Sequence, residues 1–84
     1  MAQSTSIAAL SSLPKGRIQQ AVYDAISSFG DEGLTSNECA DLLDIDKGTV
    51  QPRTSELALV ASIRDSGARR PNASGKQAIV WVAR

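Results

Sequence analysis

The apolar positions of this chain fall on helical faces over its first two thirds and then change to strand spacing. Ile18, Ala21, Val22, Ala25, Ile26 and Phe29 follow the i, i+3, i+4, i+7, i+8, i+11 pattern of one helical face. Pro14 stands before them, where its missing N–H costs nothing, and Gly30 stands after them as a C-terminal cap. Asp31 to Gly33 then reads as a turn. A second helix is predicted from Ser36 to about Leu43, with Cys39, Ala40 and Leu43 facing inward and Ile45 carrying the apolar surface into the next turn. Its start holds two devices. Thr35 and Glu38 have the spacing of a capping box, and Leu34 and Cys39 that of a hydrophobic staple. Ala40 is small enough to let two helices approach, and Val50 is the apolar residue with which a following helix packs back.

That third helix is less regular. Asp46 is a suitable cap for a start near Lys47, but Pro52 then falls in the second turn, lacking an N–H and crowding the carbonyl four residues back. Either Lys47 to Gln51 is a separate turn and Pro52 opens the helix, or the helix runs from Lys47 with an irregular first turn; the second is the expectation adopted. In both, Val50, Thr54, Leu57 and Ala58 face inward, leaving Thr49, Gln51, Arg53 and Ser55 nearer the outside. Beyond Val60, Ala61 to Asp65 suits a short strand, and Gln77 to Val82 is strand-like by its β-branched and aromatic content. Ser66 to Lys76 holds Gly67, Pro71, Asn72 and Gly75, a turn-forming set that also bears Arg69, Arg70 and Lys76. Two strands around a basic loop make a hairpin, with Gly33-Leu34 as a further short strand at its edge.

Composition bounds what such a chain does. With 84 residues it is one small domain, a serine- and alanine-rich arm (residues 1–13) preceding a folded unit (residues 14–84). A single cysteine forms no internal disulfide, and the absence of histidine removes the commonest metal ligand and general base. Hydrophobic content of 42% suits an aliphatic core. The first residues carry no charged leader, Ile7 to Leu10 is short for a signal-peptide core, and no run reaches membrane-spanning length. A soluble, cytoplasmic protein without a membrane partner is expected.

The formal net charge is zero, but it is unevenly spread. Through Asp46 the chain has two basic residues, Lys15 and Arg17, against seven acidic ones; from Lys47 onward seven basic residues face two acidic ones, Glu56 and Asp65. Such a split allows one basic face toward phosphates, and equally allows opposite charges to pair across the fold.

Three helices followed by a hairpin with a basic tip resemble the winged helix-turn-helix family from about Pro14 to Val82, in particular its small phage and bacterial members. The resemblance lies in GLT…A…L…TVQPRTSEL, a strand, and then DSGARRPNASGKQAIVWVA. It implies an α+β fold, a three-helix bundle with a β-hairpin wing, that places its third helix in the DNA major groove and its wing on backbone or minor groove. By resemblance, Lys47, Thr49, Gln51, Arg53 and Ser55 fall on the recognition helix and Arg69, Arg70, Asn72 and Lys76 on the wing. The chain departs from the family at Asp44, where the turn often has glycine, and in having only Lys47 and Arg53 as bases among those helix positions.

Each group has its own chemistry. Gln51 suits an adenine edge; Arg53 suits a guanine edge or a phosphate, or else an ion pair with Glu56. Arg69 and Arg70, read as loop residues, suit phosphate or a narrow minor groove, or else simply keep the loop soluble. Trp81 is expected to pack the hairpin onto the first helix rather than to stack on a base. Cys39 is expected as a buried apolar residue, not a reactive thiol. With no phosphate-binding glycine loop and no serine with a plausible base, no enzymatic activity and no cofactor or metal are expected. Two functions follow: a double-stranded DNA-binding regulator, or a protein-interaction module that docks on a phage or host protein. One recognition helix and one wing span few base pairs, so a homodimer on two half-sites is the expected DNA-binding form.

Overall fold

The computed structural model describes residues 14–84; the expectation of an N-terminal arm lies outside them. Helix α1, Lys15–Ser28, buries Ile18, Val22, Ala25 and Ile26 along one stripe. Phe29 departs from that stripe's prediction and is 38% exposed, because the helix ends at Ser28 and Gly30 turns the chain through a left-handed φ of 53°. A single 3-10 turn, Gly30–Glu32, leads to the second helix.

Helix α2, Ser36–Leu43, begins with the expected reciprocal cap. The Glu38 amide donates to the Thr35 hydroxyl at 3.1 Å, and the Thr35 amide donates to the Glu38 carboxylate at 2.9 Å. Leu34 and Cys39, the staple pair, are both buried. The helix stops at Asp44, which adopts the left-handed conformation that explains why such turns favour glycine; a short polar side chain tolerates it. Ile45 returns to the core.

Helix α3, Lys47–Leu59, is one continuous element with Pro52 inside it, so the alternative of a helix opening at Pro52 is set aside. Its first turn is tightened. The Asp46 carboxylate caps the Gly48 amide at 2.9 Å, and the amides of Thr49 and Val50 share the Asp46 carbonyl. Val50, Thr54 and Leu57 are buried as expected, and Ala58 packs against the core at partial exposure. The buried Thr54 hydroxyl donates to the Gln51 carbonyl at 2.8 Å, leaving its lone pair to accept from Ser36 at 2.9 Å across the α2–α3 contact.

Strands β1, Ile63–Pro71, and β2, Gln77–Ala83, form an antiparallel hairpin, and Leu34 adds one bridge to Trp81 on the far side of β2. The predicted loop of Ser66 to Lys76 is therefore too long, since β1 runs on to Pro71. The reason is a bulge. Asp65 pairs with Trp81 and Arg69 with Ile79, so two extra residues of β1 are taken up in the ladder. Within the bulge the Asp65 carboxylate accepts from the Gly67 amide and Ser66 Oγ from the Ala68 amide, so the turn chemistry of Asp-Ser-Gly acts inside a strand. The reversal itself is Asn72 to Lys76, closed by the Asn72 amide on the Lys76 carbonyl at 2.9 Å.

The core lies between the three helices and the base of the hairpin, where Ile63, Val80 and Val82 meet the helical side chains. This is an α+β fold, three helices followed by a two-stranded hairpin, in a winged-helix arrangement. No helix among the described residues is long and apolar enough to cross a membrane.

Candidate nucleic-acid interface

Because α3 buries Val50, Thr54 and Leu57, the residues on an adjoining face, Gly48, Gln51, Pro52 and Ser55, look outward at helical spacing. They do not face open solvent alone. The hairpin rises opposite them and the start of α2 closes one end, making a concave groove of about 620 Å³. Gly48, Gln51, Pro52 and Ser55 form one wall; Asn72, Lys76, Gln77, Ala78, Ile79 and Trp81 form the other; Ser36, Asn37 and Thr54 complete it. No carboxylate lines this groove among the described residues, although the chain carries nine.

Four of the nine residues expected at a DNA site meet in the groove: Gln51, Ser55, Asn72 and Lys76. Lys47 is exposed in the first turn of α3 and Thr49 is half-buried beside it; neither lines the groove. Lys47 and Lys76 carry no ion pair among the described residues. Asn72 is half-buried, its side-chain oxygen accepting from both the amide and hydroxyl of Ser74, which shapes the hairpin turn.

The three arginines lie differently from their expected positions. Arg53 is not on the outer face; its side chain is only 15% accessible and holds Glu56 in a two-point ion pair at 2.7 and 2.8 Å. Gln19 donates to the same carboxylate at 2.6 Å and Lys15 stands 3.5 Å away, so the cluster clips α3 to α1. These partners, Arg53 first and then Gln19, pull the Glu56 carboxyl from its ordinary value near 4.5 down to about 2. Arg69 and Arg70 are strand residues rather than loop-tip residues. Arg69 grips Asp65 through both oxygens at 2.9 and 3.0 Å, which holds that carboxyl below its usual range. Arg70 donates to the carbonyls of Glu32 and Gly33 at 2.8 and 3.0 Å and stands 3.5 Å from Glu38, tying the hairpin to the α1–α2 connection.

Trp81 packs against the core as expected, but its remaining surface lines the groove, a contribution that strand content alone did not suggest. Ser36, Asn37, Gln77 and Ala78 were likewise not expected there. Their signal is tertiary, since they reach the groove only because Leu34 pairs with Trp81 and sets α2 beside β2. Cys39 lies fully buried, and burial, with the Glu38 carboxylate adding, pushes its thiol up to about 12. No family model, curated protein or solved structure matches this chain, so its likeness to winged helices stands on the arrangement of its own elements.

Proposed function

We propose that this protein binds double-stranded DNA, as a small regulator would, with the groove-facing side of α3 at the major groove and the hairpin turn on the adjoining backbone. The observation that carries this reading is the groove between α3 and the wing, lined by amides, hydroxyls and Lys76 beside apolar Pro52, Ile79 and Trp81, and by no carboxylate among the described residues. Neutral hydrogen-bonding groups suit base edges, and the lysines at the margins suit phosphates. Lys47 and Lys76 are the phosphate contacts of this reading, with Gln51 and Ser55 toward the bases. Arg53, Arg69 and Arg70 act on the shape of the fold instead. One recognition helix and one wing span few base pairs, which favours two copies on two half-sites.

Titrating random duplex DNA at increasing salt tests this. Binding should weaken along a log–log line, and Lys76→Ala should lower the slope by about 0.9, the loss of one phosphate contact. Arg69→Ala should leave the slope unchanged. An absence of duplex binding at low salt defeats the reading.

A second reading, a module that docks on a protein, has its own support. Leu59 and Val60 at the end of α3 are 88% and 69% exposed, side by side, on a chain of zero net charge. It predicts that substituting both with serine abolishes partner binding while duplex binding persists or was never present.

A further inference from the structure

On the reading that the groove takes duplex DNA, we infer that it selects A·T pairs, Gln51 hydrogen-bonding adenine and the Pro52 ring packing on the methyl group of the paired thymine. Guanine is read above all by arginine, through two parallel hydrogen bonds to O6 and N7. Here Arg53 is committed to Glu56, Arg69 to Asp65, and Arg70 to the Glu32 and Gly33 carbonyls, and Arg17, Arg64 and Arg84 do not line the groove. The cation lining the groove, Lys76, stands on the hairpin turn and not on α3. That leaves the wall of α3 itself to read bases.

Four residues make that wall: Gly48, Gln51, Pro52 and Ser55. Gly48 presents no side chain, and a serine hydroxyl accepts or donates without preference among bases. Gln51 is exposed and offers one acceptor and one donor group side by side, the complement of adenine N6 and N7. Pro52, also exposed, follows it directly. Its ring has no side-chain polar atom and no N–H, so it suits the only apolar feature of the major-groove edge, the thymine C5-methyl. An A·T pair carries the two features together on one edge; a G·C pair offers neither the N6 donor beside N7 nor the methyl.

The test uses the whole chain and alters the DNA first, so that folding is not at issue. Duplexes with randomised positions are selected for binding, and the preferred duplex is resynthesised with 7-deazaadenine for adenine or uracil for thymine. An A·T pair should be preferred over G·C by roughly five- to 150-fold at one position, the range of a two-point contact. Loss of the methyl should cost about fourfold. Gln51→Ala, at an exposed site, should cut the preference to the roughly fourfold supplied by the methyl contact and make the 7-deaza change silent, because the two then delete the same contact. Selection of G·C at the contacted position, or indifference to 7-deazaadenine in the unaltered protein, overturns the inference. Duplex binding without any base preference overturns it while leaving the DNA-binding reading in place; no duplex binding at low salt removes both.

Discussion

Gly33 occupies the tightest point in the molecule, where the α1–α2 connection passes over β2. Its φ is 65°, and a Cβ there would collide with the Trp81 carbonyl oxygen and lie 2.9 Å from methyl carbons of Val80 and Val82. The neighbours are backbone and buried side chains, which cannot swing aside. Gly33→Ala combines an unfavourable backbone with overpacking and should destabilise the fold by about 2–4 kcal/mol in chemical denaturation. A change within 0.5 kcal/mol would show, on the usual scale of surface substitutions, that the connection is looser than described. Cys39 gives a second test at this scale. Its buried thiol, raised to about 12, should resist alkylation in the folded protein at mildly alkaline pH and react once denaturant is added. Mass spectrometry reads both states, and prompt native labelling would contradict its burial.

Among the elements, the polar clip between α1 and α3 runs through one carboxylate, beside the apolar contact of the two helices. Glu56 has its pKa depressed from 4.5 to about 2, so the stability it contributes is present above its ordinary value and is lost as pH falls toward 2. The gap in thermal stability between the unaltered protein and Glu56→Gln should therefore be widest above pH 4.5 and close toward pH 2. A gap that does not change with pH would mean that these partners do not hold the Glu56 carboxyl low. At the hairpin, Arg70→Ala should cost about 1–2 kcal/mol, having removed charged hydrogen bonds to two carbonyls. Arg69→Ala, whose pair with Asp65 is exposed, should cost less than Arg70→Ala. Helices and caps were legible in the sequence because they depend on near neighbours: Thr35 with Glu38, Asp46 with Gly48, and the apolar stripe of α1. The length of β1 was not, because Asp65-Ser66-Gly67 carries the residues of a turn and only pairing with β2 turns it into a bulge. The Arg53–Glu56 pair, three positions apart, was among the readings of the sequence, whereas Arg70 was legible as a charge but not as a partner. Arg70 finds carbonyls 37 and 38 positions earlier, a contact that no local pattern announces.

For the whole molecule, the fold sorts the basic second half of the chain into two populations. Arg53, Arg69 and Arg70 face inward or sideways onto acidic groups and carbonyls, while Lys47, Arg64, Lys76 and Arg84 remain without an ion pair among the described residues. The charge split along the sequence thus overstates the positive surface, and the groove is a mixture of polar and apolar side chains rather than strongly basic. On the proposed DNA-binding function, its modest charge implies weak binding by a single copy and a larger part for base contacts than for phosphates. Backbone amide shifts followed during titration with a short duplex test this most directly. The DNA-binding account predicts changes concentrated at Gly48, Gln51, Ser55 and the Asn72 to Gln77 turn, with little at Leu59 and Val60. Changes confined to Leu59 and Val60, or none at duplex concentrations well above the protein's, would contradict it.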